Sequence, residues 1–277
     1  MTVMEQKTLY VSDLDGTLMR KDETISAETV RIINELVGKG LAFTYATARS
    51  IESARTITGG LRLSLPVVTR NGAVLADNAT GRHLEKALFG EKEIALLKEL
   101  LPEIPELGFV SCFIGEEMIK TYLPGKHTAG MEKYLKKNEN DKRLRPAADF
   151  DALFCGDPGY VTLIDDRERI APIYERVRRY DCWECLFQKD TYWDEYWLEI
   201  CPKGCTKAKA ILKLKQELGF RKLVVFGDSV NDLSMFRIAD EAYAVACAIP
   251  ELKNAATAVI GSNEEDAVAQ FLRGRMD

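Results

Sequence analysis

The chain has 277 residues, a length that suits one large domain or two smaller ones. Apolar residues make up 46% and charged residues 29%, ordinary globular values that argue against disordered or fibrous proteins. The 43 acidic residues outnumber the 38 basic ones, for a formal net charge of -5. Because there is no basic excess, we expect no nucleic-acid or membrane partner. We also expect a monomer or weak homo-oligomer.

The sequence shows no targeting or spanning segment. No apolar run approaches the roughly 18 residues of a membrane span, and the opening MTVMEQKTLYVSD lacks the basic-then-apolar layout of a signal peptide. These two observations predict a cytoplasmic protein.

The seven cysteines have two interpretations. Their odd number, in a chain without a visible secretion signal, argues against a disulfide framework. Cys182 and Cys185 form CxxC, and Cys201 and Cys205 form CxxxC, so the four together could bind zinc. The interpretation we favour is reduced thiols on apolar strands. With only two histidines in the chain, a multi-histidine metal site is excluded.

The first part of the chain alternates strands and helices. KTLYVSDLDGTL is a buried strand ending in acidic residues, and SAETVRIINELVGKG is a helix that Ser26 caps and Gly40 closes. LAFTYATARS is a second strand, Ser50 begins a short helix, and LPVVTRNGAVLAD is a further strand with an Asn-Gly turn. This β-α-β-α-β order predicts an α/β protein with a doubly wound, Rossmann-like parallel sheet.

The tail repeats this alternation, from the helix CTKAKAILKLKQELGF through the strand KLVVFGD to the closing helix NEEDAVAQFLRGR. The middle differs, because FVSCFIGEEMIKTYL alternates polar and apolar residues and predicts an antiparallel sheet with one wet face. The polar stretch 133–145 is interpreted as a solvated helix face and loop. The aromatic cluster WECLFQKDTYWDEYW is either sheet packing or a substrate-facing wall. We therefore predict a core of residues 1–82 and 197–277, interrupted by an inserted α+β cap domain at 83–196.

Acidic side chains follow two of the predicted strands. Asp13 and Asp15 lie two residues apart after the first strand, so both carboxylates can face one point if the extended geometry persists. Gly16 permits a sharp turn, and Thr17 adds a hydroxyl. Asp228 ends KLVVFGD and would approach the same edge if the two strands are neighbours. Ligands of open α/β sheets bind beyond the carboxyl ends of the strands.

Further polar residues follow at other strand-helix junctions, in the order Thr47, Arg49, Lys207, Asn231 and Asp232. Converging carboxylates repel each other unless a divalent cation lies among them, and oxygen ligands suit Mg²⁺. A hydroxyl, a lysine and helix N-termini supply donors for phosphate oxygens. One carboxylate could attack phosphorus while its partner protonates the leaving alcohol. The pattern predicts Mg²⁺-dependent phosphoryl transfer.

These residues resemble the haloacid dehalogenase superfamily, specifically its Cof-like subfamily (class IIB) of phosphatases with a large α/β cap. The first family motif matches residues 13–17 (DLDGT), and the second matches Thr47 in YATARS. The third matches Lys207 in GCTKAKA, and the fourth matches residues 227–232 (GDSVND). TRNGAVL matches the Asn-Gly stretch before the cap, so the resemblance covers nearly the whole chain.

The resemblance implies a role for each matching residue. Asp13 would be the nucleophile that carries an aspartyl-phosphate, and Asp15 the general acid/base. Thr47 and Lys207 would hold the transferring phosphoryl group. The residues implied in Mg²⁺ binding are Asp13, Asp15 through its backbone carbonyl, Asp228, Asn231 and Asp232, the last two either as direct ligands or as orienters of water or of the lysine. The residues implied in substrate binding are Thr47, Ala48, Arg49, Asn71, Gly72 and Lys207.

The chain departs from the family pattern at three alanines, Ala48, Ala208 and Ala267, which stand where many members have glycine. Backbone approach to substrate at Ala48 is the property most exposed to this change, because alanine limits positive φ. Arg49 has an ion pair as its alternative to a substrate contact, and Asn71 has a simple turn role.

The leading hypothesis is a phosphoric monoester hydrolase acting on a small phosphorylated metabolite, most readily a sugar phosphate. The cap would exclude water and select the leaving group, with residues 155–160 and 187–196 as candidate contacts. A phosphomutase or a non-catalytic phospho-ligand-binding protein are the alternatives. A phosphoryl-accepting receiver, which also uses acids at strand ends, fits poorly, because receivers are usually a single small domain. The carboxylate of Asp15, which suits acid/base work, and the inserted cap both argue against it.

Overall fold

The computed structural model describes residues 7–276. Residues 1–6, on which the predicted lack of a signal peptide partly depends, lie outside the described residues. Two compact units are present, one of the chain up to Glu85 and from Thr206 onward, the other Lys86–Cys205. The sequence analysis placed the divisions after Arg82 and Tyr196. The second division falls later because the strand Tyr196–Pro202 pairs with strands of the second unit.

The secondary structure alternates as the sequence patterns indicate. In chain order the strands are β1 (Thr8–Ser12), β2 (Ala42–Tyr45), β3 (Val67–Thr69), β4 (Val74–Ala76), β5 (His83–Lys86), β6 (Gly108–Ile114), β7 (Glu117–Tyr122), β8 (Leu144–Pro146), β9 (Asp157–Asp165), β10 (Trp183–Lys189), β11 (Tyr196–Pro202), β12 (Lys222–Gly227), β13 (Glu241–Ala244) and β14 (Ala258–Val259). The helices are α1 (Ala27–Gly38), α2 (Ile51–Thr58), α3 (Glu91–Leu100), α4 (Ile104–Leu107), α5 (Ala129–Lys137), α6 (Arg167–Val177), α7 (Lys207–Glu217), α8 (Leu233–Phe236), α9 (Pro250–Ala255) and α10 (Ala267–Met276). In this described part of the chain, no helix is long and apolar enough to cross a membrane.

The first unit is built on a parallel five-stranded sheet in the order β14-β13-β12-β1-β2. The predicted doubly wound α/β sheet is therefore confirmed. From β1 the next strand in sequence lies on one side, while β12 and its successors lie on the other. This reversal is a topological switch point, where open α/β sheets bind ligands at the carboxyl ends of their strands.

Two helix starts follow the predicted capping residues. The side chain of Ser26 accepts a hydrogen bond from the Thr29 amide at the start of α1, and Ser50 accepts one from the Ser53 amide at the start of α2. Both satisfy a backbone N–H that the first helical turn leaves without a partner. The apolar faces then pack on the sheet, and Ile33 of α1 is completely buried.

The sequence predicts that the segment TRNGAVL adds a strand to the parallel sheet, and this prediction is wrong. It forms the antiparallel hairpin β3–β4, which continues into a separate three-stranded sheet with β5. A parallel bridge between Ala46 and Val68 connects β3 to the end of β2. The chain reverses at Arg70, Asn71 and Gly72, which all have positive φ.

The second unit contains a six-stranded sheet in the order β10-β11-β9-β6-β7-β8, antiparallel except for the β7–β8 pair. The predicted wet face is wrong for the central strands β6 and β9, which are buried on both faces. Val110 packs with Leu97 of α3 and Ile170 of α6. The adjacent Phe109 points to the other face and packs with Met131 of α5. The pattern misled because α5 covers the face that the polar residues suggested was open.

Lys120 of β7 shows how a charge is accommodated on that covered face. Its side chain is only 6% exposed. The ammonium donates to Tyr134 Oη at 2.6 Å and to Asp141 Oδ2 at 3.1 Å. Arg143 also pairs with Asp141, at 2.7 Å between Nη2 and Oδ2. A buried charge is tolerated when it is paired and hydrogen-bonded in this way.

Candidate active site

Two strands bring the acidic residues together. Asp13 directly follows β1, and Asp228 directly follows β12, the neighbouring strand. The Asp13 amide donates to the Phe226 carbonyl at 2.9 Å and extends the ladder to the carboxylate. Asp13, Asp228 and Asp232 each present an oxygen within 4.8 Å of the others, the one such metal-binding group found among residues 7–276. The predicted convergence at the sheet edge is therefore present in the structure.

Lys207 lies within this group as its counter-charge. It is the first residue of α7, where the preceding Thr206 caps the helix by accepting from the Lys209 amide. The Lys207 ammonium donates to Asp13 Oδ1 at 2.6 Å and to Asp232 Oδ1 at 2.7 Å, and its side chain is 0% exposed. Burial alone would lower the pKa of Lys207, but the charges of Asp13 and Asp232 outweigh burial and raise it. The lysine is therefore protonated at neutral pH.

Burial shifts the pKa of the acidic residues in the opposite direction, because it disfavours their charged form. Burial raises the pKa of Asp13 to about 7, even though the Lys207 charge opposes the rise. Burial and the charges of Asp13 and Asp232 likewise raise the pKa of Asp228. One lysine does not neutralise three buried carboxylates, so this all-oxygen donor set fits a divalent cation such as Mg²⁺.

Asp232 differs from the other two acids in its hydrogen bonds. Its Oδ1 accepts from Lys207, and its Oδ2 accepts from the backbone amides of Asp228 at 2.9 Å and Ser229 at 3.1 Å. Asp228 has only its Oδ1 engaged by a side chain, the Thr17 hydroxyl at 2.8 Å. The geometry therefore favours Asp13 and Asp228 as direct ligands of a cation, and Asp232 as the residue that orients Lys207.

Gly16 allows Asp228 to reach this position. Its φ is +76°, in the left-handed region that favours glycine, and an added Cβ would lie 2.5 Å from Asp228 Oδ2. The tight turn Leu14–Leu18 thus delivers Asp15 and Thr17 beside the acidic group and leaves room for the second carboxylate.

Asp15 is held apart from the three clustered acids by Arg49. The two Asp15 oxygens accept from Arg49 Nε at 3.0 and 2.9 Å, and Oδ1 also accepts from Nη2 at 2.6 Å. Arg49 Nη2 also lies 3.5 Å from Glu23 Oε2. The ion pair that stood as the alternative for Arg49 is therefore present in the structure. The sequence analysis missed Glu23, since no motif marks that position.

Thr47 and Ala48 form the loop after β2. Thr47 is completely buried, its amide donates to the Val68 carbonyl at 2.9 Å, and its hydroxyl accepts from the Arg49 amide at 3.1 Å. Ala48 does not belong to the described non-glycine residues with positive φ, so alanine in place of the family glycine causes no backbone strain here. The same holds for Ala208 and Ala267, which lie in helices α7 and α10.

Asn71 and Asn231 meet at the site. Asn231 Nδ2 donates to Asn71 Oδ1 at 3.2 Å. The other amide oxygen, Asn231 Oδ1, is buried and accepts no hydrogen bond from the described residues. A buried acceptor without a hydrogen bond costs free energy, so this oxygen is available to a bound group or a water molecule.

The segment before α10 holds the Asp15 turn in place, and the sequence analysis assigned it no part in the site. Asn263 Nδ2 donates to the Met19 carbonyl at 2.8 Å. Asp266, which has φ 59°, accepts from Arg20 at 3.0 Å, from Ser26 at 2.6 Å and from Thr29 at 3.1 Å. These residues lie some 240 positions from their partners in sequence, so no local signal could identify them.

The four cysteines of the possible zinc site do not come together as ligands. Cys201 lies opposite Glu184 in the β10–β11 ladder. Cys185, the residue after Glu184, points to the other face of the sheet, so a four-thiolate zinc site does not form. All seven cysteines are free thiols. A second lysine close in sequence to Lys207, Lys203, pairs with the exposed Asp181 of the second unit.

Comparison with known proteins identifies the family. A family model described as haloacid dehalogenase-like hydrolase matches residues 10–272. The 5-amino-6-(5-phospho-D-ribitylamino)uracil phosphatase YwtE of Bacillus subtilis is 28% identical over 94% of this chain and 95% of that protein. The HMP-PP phosphatase of Serratia proteamaculans is 26% identical over 96% of this chain and 94% of that protein. The fold matches a solved haloacid dehalogenase-like hydrolase from Bacteroides thetaiotaomicron at 20% identity with a TM-score of 0.78, covering 99% and 100% of the two chains.

The chain belongs to the haloacid dehalogenase-like hydrolases. The resemblance drawn from the four motifs is confirmed, and so is the expectation of an enzyme of this type.

Proposed function

We propose that the chain is a Mg²⁺-dependent phosphatase that hydrolyses a small phosphorylated metabolite through an aspartyl-phosphate on Asp13. The observation that carries the proposal is the contact of the fully buried Lys207 ammonium with Asp13 at 2.6 Å, beside Asp228. A carboxylate is a weak nucleophile that repels a phosphate dianion. A buried lysine that holds one of its oxygens and adds positive charge makes such an attack feasible.

The proposed reaction proceeds in two displacements at phosphorus. A carboxylate oxygen of Asp13 forms a bond to phosphorus while the ester P–O bond breaks, and Asp15 gives its proton to the departing alkoxide. Asp15 then takes a proton from a water molecule whose oxygen attacks the same phosphorus. The bond between the Asp13 oxygen and phosphorus breaks in this step, which releases inorganic phosphate and regenerates the Asp13 carboxylate, so the atoms and protons balance over the cycle.

Asp13 and Asp228, with the Asp15 backbone carbonyl, would hold Mg²⁺. The cation would neutralise part of the charge on the transferring phosphoryl group. Asp232 would keep Lys207 oriented, since both of its oxygens already accept hydrogen bonds. Asn231 would bind the cation or one of its water molecules through its buried side-chain oxygen, which accepts no hydrogen bond from the described residues.

Thr47 and Lys207 would donate to the phosphoryl oxygens, each from a different loop of the first unit. Ala48, Arg49, Asn71 and Gly72 remain predicted substrate-binding residues. Of these, Arg49 would bind substrate while it also pairs with Asp15, because its guanidinium already contacts that carboxylate.

We propose a sugar phosphate or a similar phosphorylated metabolite as the substrate. The support comes from two relatives, of which one is a phosphatase of a phosphoribitylamino-uracil and the other an HMP-PP phosphatase. The assignment of the second unit as a cap that selects the leaving group stays a prediction, as do a cytoplasmic location and a monomer or weak homo-oligomer.

The test is phosphate release from a panel of phosphometabolites, with Mg²⁺ present or chelated. We expect turnover of at least one ester with Mg²⁺ and none after chelation. Asp13→Asn should abolish turnover. Asp181→Asn is the matched control, because Asp181 is 97% exposed and belongs to the second unit. Failure of every ester, or full activity in Asp13→Asn, would overturn the proposal.

A further inference from the structure

The turn Arg70–Gly72 has an unusual backbone. Three consecutive residues have positive φ, at 51° for Arg70, 52° for Asn71 and 102° for Gly72. Residues other than glycine seldom adopt this region, and they persist there only when their surroundings hold them. Arg70 and Asn71 are both buried, at 6% and 7% exposure. A simple surface hairpin would not need two non-glycine residues in this conformation.

The first contacts of the turn are with the loop that contains Thr47. The Arg70 amide donates to the Arg49 carbonyl at 3.0 Å, and the Asn71 amide donates to the Thr47 carbonyl at 3.0 Å. Two successive backbone hydrogen bonds fix the turn against this loop.

The other contacts of the turn are with the two remaining phosphate-site loops. Asn71 Oδ1 accepts from Asn231 Nδ2 at 3.2 Å. A Cβ on Gly72 would lie 2.3 Å from the carbonyl oxygen of Thr206, the residue before Lys207. Gly72 therefore lets the turn pack directly against the start of α7. One three-residue turn thus lies against the loops that contain Thr47, Lys207 and Asn231.

We infer that Asn71 is a positioning residue, which sets the spacing of Thr47 and Asn231 around the transferring phosphoryl group. The inference rests on the proposed phosphatase function and adds a role for a residue that the family motifs place only near the site. Polar groups from separate loops must converge on one phosphoryl group and its cation, and errors of about 1 Å in such placement cost up to about 100-fold in rate. The backbone of Asn71 fixes one loop and its side chain fixes another.

This role differs from two simpler ones. A residue that contacts the leaving group would change KM and leave the binding of a phosphoryl mimic intact. A residue that only forms a turn would be replaceable by glycine, which adopts φ near +52° freely. A positioning residue affects kcat and the binding of a phosphoryl mimic together, and a glycine does not restore it because the Asn231 contact is lost.

The experiment compares the wild type with Asn71→Gly, Asn71→Asp and Asn231→Ala in the full chain with Mg²⁺. Three quantities are measured: the thermal midpoint, kcat and KM for one ester, and inhibition by orthovanadate, which mimics the transferring phosphoryl group. For Asn71→Gly we expect an unchanged midpoint, a kcat lowered about 10- to 100-fold, and vanadate inhibition weakened in parallel. Asn71→Asp keeps an acceptor for Asn231 Nδ2 but adds a negative charge beside the phosphate, so it should be faster than Asn71→Gly and slower than the wild type.

The double variant Asn71→Gly/Asn231→Ala should be no slower than the slower single variant, since both changes break one contact. Wild-type kcat in Asn71→Gly overturns the inference, and so does a raised KM with unchanged vanadate inhibition. Either result leaves the phosphatase proposal standing. A wild-type chain that turns over no ester overturns both.

Discussion

Arg49 contacts both carboxylate oxygens of Asp15 through two of its guanidinium nitrogens, at distances of 2.6 to 3.0 Å. Both side chains are partly buried, at 19% and 22% exposure. A guanidinium fork fixes the plane of a carboxylate as well as its position. The orientation of the proposed acid/base is therefore determined by a residue of the loop after β2.

Replacing Arg49 with lysine should separate charge from geometry. Lysine keeps the positive charge but cannot contact both oxygens in one plane. We expect Arg49→Lys to lower kcat about tenfold or more, within the range that a misplaced acid/base costs, with little change in the thermal midpoint. Steady-state kinetics on one ester measures the effect.

Arg31→Lys is the control for this prediction. Arg31 makes a similar two-nitrogen contact with Glu28, but on the exposed surface of α1. Its replacement should leave kcat unchanged. Equal rates for the two variants would show that the fork of Arg49 does not matter to Asp15.

Replacing Lys207 with methionine should destabilise the first unit. Methionine fills a similar volume but leaves Asp13 and Asp232 without their shared cation, and breaking a buried pair costs about 3–5 kcal/mol. Urea unfolding at pH 7 followed by circular dichroism measures this loss. Lys203→Met is the matched control, since that lysine is 54% exposed. A variant as stable as the wild type would contradict the electrostatic account of the site.

Stability without metal should fall as the pH rises from about 4 to about 7. The folded-state pKa of Asp13 is raised from 3.8 to about 7, first by burial, so the folded chain retains a proton that the unfolded chain releases. The stabilisation from this retained proton is complete below pH 3.8, the pKa of Asp13 in the unfolded chain. It is lost as the pH rises to the folded-state pKa of about 7. Mg²⁺ competes with this proton, so its stabilising effect should grow over the same range.

Thermal midpoints from pH 4 to pH 8, with Mg²⁺ or with chelator, test this pH dependence. In Asp13→Asn both the pH slope and the Mg²⁺ effect should shrink. A Mg²⁺ effect of equal size at all pH values would show that Asp13 does not share its oxygens with the cation.

The second unit should show the opposite pH sign through Asp141. Burial would raise the pKa of Asp141, but hydrogen bonds from Arg143 and the charge of Lys120 outweigh it and hold that pKa well below its usual range. The resulting stability is present above about pH 4 and disappears as the pH falls further. Asp141→Asn should therefore cost about 1–3 kcal/mol at pH 7 and much less in strong acid.

Tryptophan fluorescence during urea unfolding reports this change, because all three tryptophans, at positions 183, 193 and 197, belong to the second unit. Asp151→Asn is a suitable control, as Asp151 is 82% exposed. Identical losses at pH 7 and in strong acid would rule out the depressed pKa as their cause.

The sequence predicted the acidic edge well, for a physical reason. Asp13 and Asp228 each follow an apolar run of strand length, and parallel strands end at the same edge. Single-sequence patterns could not decide between Asn231 and Asp232, because that depends on which oxygens accept hydrogen bonds. They also could not show that Arg49 pairs with Asp15, since such a contact is a property of side-chain placement.

The failed predictions concern burial rather than chemistry. The Asn-Gly pair in TRNGAVL signals a tight turn, but the sequence does not show that the two arms pair with each other in a separate sheet, or that Arg70 also has positive φ. The central strands of the second unit were expected to have a wet face, but α5 covers it. The hairpin depends on a backbone conformation that residue type does not specify, and the burial of the central strands depends on packing against a separate helix.

The position of β1 between β2 and β12 has a consequence for how the protein is made. Thr8 pairs with Lys222, 214 residues later. Strand β1 therefore lacks its β12 neighbour until most of the chain has been synthesised. Residues 86–205, by contrast, are contiguous in sequence and can fold before β12 has been made. A nascent or truncated chain that stops before β12 would carry Asp13 without Asp228 or Asp232, and it would be inert toward phosphate esters in the cell. The proposed hydrolysis therefore requires synthesis to continue past Asp232.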